Sequence, residues 1–157
     1  MLQNILTGHE GIFLINLLIC MVCGLLIGME REARGKDAGI GTHTLVITGS
    51  MIFTFISQLV DPTSTSRIAA QVITGIGFLG AGMILRSEES RVRNLTTAAS
   101  IWYSGAIGML IGFNFQIIAI LAVLAGILIL LIPHPKIKQI TKKDGSMVFE
   151  IDEFKKL

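Results

Sequence analysis

The charged residues of this chain are confined to a few short segments, and the stretches between them are long and apolar. Residues 11–29, 38–60, 68–85 and 94–135 contain no Asp, Glu, Lys or Arg, although 15% of the chain is charged. A soluble helix or strand exposes a polar face every few residues, whereas a helix that crosses the roughly 30 Å hydrocarbon core of a bilayer needs about 20 apolar residues. The pattern therefore predicts a polytopic membrane protein and disfavours a soluble enzyme.

The four charge-free runs divide into five predicted transmembrane helices. The last run is too long for one helix, and a glycine and two amides at 112–116 favour a break near its middle. Pro133 and Pro135 end the final helix, because proline has no backbone donor. We therefore predict an all-α integral membrane protein with a transmembrane domain over 1–133 and a short tail over 134–157. The predicted spans lie near 11–29, 43–60, 68–85, 95–111 and 117–132.

Lysine and arginine are unevenly distributed between alternate loops. In membrane proteins the cytoplasmic loops carry the excess of these residues. The first loop, the third loop and the tail carry twelve of them, whereas the segments on the other side carry only Arg67. We therefore expect the N-terminus outside and the C-terminus inside. Four spans would instead place the lysines of the tail on the side of the uncharged N-terminus.

The tail favours one short β-hairpin. Alternating segments flank Asp144-Gly145, a dipeptide typical of tight hairpin turns. A lone two-stranded hairpin is marginally stable in water, so we expect it to be loose or to pair with another chain.

Small residues recur at helical spacing along the predicted spans. Membrane helices associate through such residues, because lipid provides no hydrophobic drive for their association. We expect the third span, which has four glycines, to be the central helix. The predicted packing positions, on Gly, Ala and Ser faces, include Gly24, Gly28, Gly75, Gly77, Gly80, Gly82, Ser100, Ser104, Gly108 and Gly112.

Two short motifs lie inside predicted spans. Residues 75–80 match G-x-G-x-x-G, but a dinucleotide-binding motif follows a strand and precedes a soluble helix, so helix packing is favoured. The alternative is that these glycines unwind the helix locally and line a pathway. Cys20 and Cys23 form a C-x-x-C, which without further ligands is interpreted as two small hydrophobic residues.

Polar residues form two candidate clusters. No charged residue lies near a predicted bilayer midplane and no catalytic motif is present, so we expect neither a proton-coupled carrier nor an enzyme. The first cluster is a predicted cytoplasmic-side platform that binds a partner or an ion, formed by Glu30, Arg31, Thr42, His43, Arg93 and Thr96. The second is a predicted outer cluster of Asp61, Arg67 and Gln71. The alternatives are interfacial ion pairs that fix helix tilt and, outside, ordinary loop structure.

Several stretches of the sequence resemble one family of bacterial membrane proteins. They are 24–32, 35–46, 61–62, 67–72, 75–82 and 92–102, in order and over about 20–132. They are similar to the MgtC/SapB family. Two positions differ, since that family commonly has an arginine in place of Gly41 and a glycine in place of Asn94. Long members carry a further cytoplasmic domain, whereas about 24 residues follow Pro133 here.

The resemblance implies a non-catalytic, multi-pass protein of the bacterial cytoplasmic (inner) membrane that takes part in adaptation to low Mg²⁺ and in virulence. It implies regulation of other integral membrane proteins, such as F-type ATP synthase. The small-residue helix faces lead us to expect a homo-oligomer, with a dimer favoured. The alternative is a Mg²⁺ channel or transporter formed at an oligomer interface. We expect no cofactor apart from Mg²⁺ as a ligand or transported ion. The net charge of +2 favours no nucleic-acid partner.

Overall fold

The structure, a computed structural model, describes residues 8–60, 62–85, 94–132, 137–141 and 147–151. Its helices and strands are, in chain order, α1 (Glu10–Ala33), α2 (Ile40–Val60), α3 (Ser66–Leu85), α4 (Leu95–Gly112), α5 (Gln116–Leu131), β1 (Ile137–Thr141) and β2 (Met147–Ile151). The five predicted helices are confirmed, each within a few residues of its predicted bounds.

Four of the helices have the length and composition of membrane spans. α1 to α4 are each long and apolar enough to cross a bilayer. α5 is apolar but has only 16 residues, which makes it about 24 Å long against a hydrocarbon core of about 30 Å. The membrane character of the protein is therefore confirmed, and the crossing by α5 stays a prediction.

The bundle is built around α2 and α4. α2 contacts α1, α3 and α4, and α4 contacts α1, α2 and α3. In the apolar stretch of α4, 56% of the residues are buried, whereas only 22% are buried in that of α3. The expectation that α3 is central is therefore wrong for the single chain, because most of its glycines lie on a face that no described helix covers. The buried apolar side chains of the core include those of Cys20, Ile27, Ile47, Met51, Ile107 and Ile111.

Glycines of α4 allow this helix to lie directly against α2. A Cβ at Gly108 would overlap the main-chain oxygen of Ile47. A Cβ at Gly112 would lie only 2.8 Å from the main-chain oxygen of Met51. The small residues therefore set the distance between the two central helices, as expected for helices that pack in a membrane.

A glycine-closed turn connects α1 to α2. Gly35 follows the end of α1 with φ +62°, a left-handed conformation that glycine adopts without strain. Its N–H donates to the oxygen of Glu32 at 2.9 Å, and the N–H of Lys36 donates to the oxygen of Arg31 at 3.0 Å. This is the Schellman arrangement that ends a helix sharply. The turn brings the start of α2 against Gly28 of α1, where a Cβ would overlap the backbone of Ile40.

The chain divides into two compact units, residues 1–127 and 128–157. In the second unit β1 and β2 pair antiparallel, with Ile137 opposite Ile151 and Thr141 opposite Met147. The strands lie where the sequence favours a hairpin, and the residues of its expected turn are outside the described ranges.

Candidate functional site

A buried arginine joins α1 to α4 near the α1–α2 turn. The side chain of Arg31 is 2% exposed and its Nη2 donates a hydrogen bond to Oγ1 of Thr97 at 3.1 Å. Thr97 lies in the first turn of α4 and is also 2% exposed. The Nε of Arg31 has no hydrogen-bond partner among the described residues. A cation is expensive to remove from water, so this contact is a strong constraint on how the helices pack.

A carboxylate beside this arginine balances its charge. Glu30 lies 4.0 Å from Nη1 of Arg31 and 2.6 Å from Nε of Arg34. Its side chain is only 10% exposed, and Arg34 follows it by one helical turn. Two guanidinium groups therefore surround one carboxylate at the end of α1. The surplus positive charge disfavours a bound dication at Glu30.

A fully buried histidine joins the start of α2 to α4. The side chain of His43 has no exposed surface. Its Nδ1 lies 2.9 Å from the main-chain oxygen of Gly39, and its Nε2 lies 3.2 Å from Oγ of Ser100. The same hydroxyl of Ser100 lies 2.8 Å from the main-chain oxygen of Thr97 and can donate to it. The hydroxyl of Thr97 therefore contacts Arg31, and its main-chain oxygen contacts Ser100, the partner of His43. We call Glu30, Arg31, His43, Thr97 and Ser100 the α1–α2–α4 polar cluster.

The contacts of His43 define which ring nitrogen carries the proton when the ring is neutral. A carbonyl oxygen can only accept, so the Nδ1 facing Gly39 must be the protonated nitrogen. Nε2 then accepts from the hydroxyl of Ser100. If the ring gained a second proton, Nε2 would donate to Ser100, whose hydroxyl could turn to the oxygen of Thr97. The cluster can therefore satisfy both protonation states of His43 by rotating one hydroxyl.

The predicted platform is assembled only in part. The structure places Glu30, Arg31 and His43 in this cluster, whereas Thr42 and Thr96 are exposed. Arg93 lies outside the described residues. The neighbour of Thr96, Thr97, is the one that faces the interior. Its i+3 spacing to Ser100, and the i+7 spacing to Ser104, is the sequence signal that could have identified it.

No metal site was found in the part of the chain that the structure describes. Within it, no group of three or more His, Cys, Asp or Glu residues could hold a metal ion.

At the opposite end of the bundle, the predicted outer cluster does not form a buried site. Arg67 and Gln71 of α3 are both exposed, one helical turn apart. Asp61 lies outside the described residues. Ordinary hydrogen bonds order the neighbouring α2–α3 loop, since Oγ of Ser57 donates to the oxygen of Thr65 at 2.6 Å.

Three amides form a second polar cluster at this end, in which Asn16 is buried, Gln116 half-buried and Asn114 exposed. Nδ2 of Asn16 donates to Oδ1 of Asn114 at 3.1 Å, and Nε2 of Gln116 donates to Oδ1 of Asn16 at 3.0 Å. Asn16 has no exposed surface. Asn114 lies in the α4–α5 turn with φ +64°, a conformation that asparagine tolerates better than most residues. The cluster links α1 to the α4–α5 turn. Residue spacing could not predict this contact, because Asn16 and Asn114 are 98 positions apart.

The predicted packing residues differ in what they contact. Gly24, Gly28, Gly108 and Gly112 lie against α2, and Ser100 and Ser104 are buried. A Cβ at Gly80 would lie 3.7 Å from Cβ of Ala98. Beside the remaining three, which are Gly75, Gly77 and Gly82, there is open space. Their role in packing stays a prediction for contacts outside the single chain.

Comparison with known proteins finds relatives named Protein MgtC and putative magnesium transporter YhiD. It is 49% identical over 102 residues to Protein MgtC of Salmonella typhimurium (strain LT2), covering 65% of this chain and 44% of that protein. It is 50% identical over 90 residues to Protein MgtC of Brucella abortus, covering 57% of this chain and 37% of that one. It is 38% identical over 164 residues to the "putative magnesium transporter YhiD" of Escherichia coli K12, covering 91% of this chain and 74% of that protein.

The chain thus spans less than half the length of the MgtC proteins that it matches. No solved structure matches it. The model of the MgtC family matches residues 17–139, which include all five helices except the first turns of α1. The matched range contains the α1–α2–α4 polar cluster and, of the three amides, Asn114 and Gln116. The chain therefore belongs to the MgtC family.

Proposed function

We propose that this chain is a non-catalytic, multi-pass protein of the bacterial cytoplasmic membrane that regulates other membrane proteins when Mg²⁺ is scarce. The proposal includes five spans, with the N-terminus outside and the tail inside, as the loop charges favour. It also includes self-association, with a dimer favoured, and F-type ATP synthase as a candidate partner.

The contacts of two buried polar side chains, Arg31 and His43, are the main support for this proposal. Arg31 donates to Thr97, and His43 contacts Gly39 and Ser100. These groups are directed at one another and hold three helices together. A transport path or a catalytic site needs polar groups that are directed at a ligand instead. The α1–α2–α4 polar cluster is therefore better suited to a fixed scaffold than to transport or catalysis.

The face of α3 that is turned away from the bundle is a suitable surface for a partner helix. Phe78 is 80% exposed, and Gly77 and Gly82 on this helix leave open space beside them. Small residues allow a second transmembrane helix to approach closely, and a large side chain can then pack against it. A regulator that acts by contact requires a surface of this kind.

Affinity capture of the tagged chain from native bacterial membranes, in mild detergent, tests the proposal. We expect a stoichiometric integral membrane partner that is lost with Phe78→Ala. The matched control is Phe115→Ala, which changes a 53% exposed phenylalanine in the α4–α5 turn and should retain the partner. Recovery of self-associated chains alone would contradict regulation of a partner.

A second candidate function is Mg²⁺ transport along a path between copies. The name of the Escherichia coli relative favours it, as does the exposure of Thr96 at the start of α4. Mg²⁺ is bound by oxygen ligands and retains several waters, so exposed hydroxyls such as that of Thr96 would line such a path. The glycines of α3 free no carbonyls for it within one chain, because this helix is continuous from Ser66 to Leu85.

Liposomes that contain a Mg²⁺ indicator separate the two functions. A transporter should give gradient-driven uptake that Thr96→Leu abolishes and that Thr42→Leu, at another exposed threonine, leaves intact. If uptake does not exceed that of protein-free liposomes, the transport function is wrong.

A further inference from the structure

An apolar groove runs between α2 and α3 on the outside of the bundle. Its volume is about 540 Å³, within the range of pockets that hold small organic molecules. Val46 and Phe53 of α2 form one wall, and Val72 and Leu79 of α3 form the other. Phe53 and Leu79 are 55% and 50% exposed, so the groove is open to its surroundings, which for a membrane protein are lipid.

Two glycines keep the groove open. Gly49 of α2 and Gly75 of α3 both line it, and a Cβ at either position would meet no atom within 4 Å. A larger residue at these positions would therefore fill the groove without disturbing the packing of the single chain.

The length of the groove matches one leaflet of a bilayer. It extends along α3 from Ile68 to Leu79, which is about 16 Å at a rise of 1.5 Å per residue. The hydrocarbon core is about 30 Å thick, so one leaflet contributes about 15 Å. An acyl chain that enters from the nearer membrane surface would therefore lie along the whole groove.

Polar side chains lie at one end of this groove. Arg67 and Gln71 line an adjoining pocket together with Ile68, and Ile68 and Gln71 also line the groove itself. Both polar side chains are exposed. Among the described residues, no carboxylate lies within ion-pair distance of Arg67. The groove is therefore amphipathic, with a cation at its mouth and an apolar length below.

We propose that the α2–α3 groove binds a glycerophospholipid. The guanidinium of Arg67 binds the phosphate, since arginine matches phosphate oxygens in charge and geometry. The amide of Gln71, one turn deeper, donates to an ester oxygen of the lipid, because an exposed amide at membrane depth has no water to bond. One acyl chain lies against Gly49 and Gly75. This complementarity of charge and polarity selects a phospholipid over an apolar partner helix.

Three variants of the full chain test the proposal. Gly75→Leu fills the groove. Gly77→Leu is the matched control, because Gly77 lies on the same helix and also has open space beside it but does not line the groove. Arg67→Gln removes the charge at the mouth. Equal unfolding midpoints in detergent would show that all three variants fold.

Native mass spectrometry of the purified chain, with added dioleoyl phosphatidylglycerol, measures the binding. We expect the unchanged chain and Gly77→Leu to bind equally, Gly75→Leu to bind little, and Arg67→Gln to lose roughly tenfold in affinity, as for one charge-assisted hydrogen bond. Dioleoylglycerol, which has the same chains without the phosphate, should bind weakly.

Three results would overturn the proposal. One is equal phosphatidylglycerol binding by all variants, and another is equally tight binding of dioleoylglycerol. The third comes from a phospholipid with a photoreactive acyl chain in native membranes. If it labels sites other than α2 and α3 while chemical cross-links join the groove to a second copy, the occupant is another chain.

Discussion

The guanidinium of Arg31 donates a hydrogen bond to the hydroxyl of Thr97, 66 positions further along the chain, and both side chains are 2% exposed. The contact joins the end of α1 to the start of α4. Removal of the acceptor from a buried guanidinium is costly, because the charge stays desolvated without that hydrogen bond. Loss of this contact should therefore lower the free energy of unfolding.

Thr97→Val should destabilise the protein by about 2 kcal/mol, because it removes the acceptor from a buried guanidinium while keeping the shape of the side chain. Unfolding in mixed micelles with increasing SDS measures the change. Thr96→Val is the matched control, since Thr96 is exposed, and it should change the stability by less than about 0.5 kcal/mol. Equal effects at the two positions would contradict the role assigned to Thr97.

Gly108→Ala should destabilise the protein by roughly 1–3 kcal/mol, because its Cβ would overlap the main chain of α2 at Ile47 and force the two central helices apart. Gly77→Ala, on α3, meets no atom within 4 Å and should be neutral or slightly stabilising. Thermal unfolding in detergent compares the two variants. A Gly108→Ala protein as stable as Gly77→Ala would show that α2 and α4 are not in close contact.

The neutral ring of His43 should carry its proton on Nδ1, because that nitrogen faces the carbonyl of Gly39. Nitrogen-15 NMR of the histidine-labelled protein in micelles distinguishes the two ring nitrogens, and His43→Gln assigns the signal. A proton on Nε2 of the neutral ring would mean that the contact with Gly39 is not formed. Ser100→Ala should leave the tautomer unchanged, since it removes only the partner of Nε2.

Reporter fusions should place the two ends of α5 on opposite sides of the membrane. Alkaline phosphatase fused after Asn114 should be active outside, and a fluorescent protein fused after Leu157 should fluoresce inside, because the loop charges require a fifth crossing. Fusions that report the same side at both positions would show that α5 does not cross. With 16 residues, α5 is the shortest of the five helices, so its crossing is the one that this experiment tests.

The helices were predictable because a bilayer imposes a simple rule on the sequence. A span needs an uninterrupted apolar stretch, and the charge-free runs end within a few residues of the observed helices. α1 extends past its run to Ala33, and this extension contains Arg31, which is buried against Thr97. The burial of Arg31 depends on a residue of another helix, which the local pattern does not contain.

The arrangement of the helices was harder to predict than their existence. The glycines of α3 favoured a central position, yet glycines permit close contact without requiring it, and α4 occupies the centre through Gly108 and Gly112. Thr96 and Thr97 differ by one position and therefore by about 100° around the helix. A choice between them requires the orientation of α4, which depends on the tertiary packing.

The link between Asn16 and the α4–α5 turn has a consequence for biosynthesis. Asn16 is made near the start of translation, but its partners follow 98 and 100 positions later. An unsatisfied amide within the hydrocarbon is unfavourable. The side chain of Asn16 therefore lacks these partners until translation has passed the α4–α5 turn. A polypeptide released before that point would keep the amide of Asn16 in the membrane without these hydrogen bonds, and it would be less stable than the full bundle for that reason.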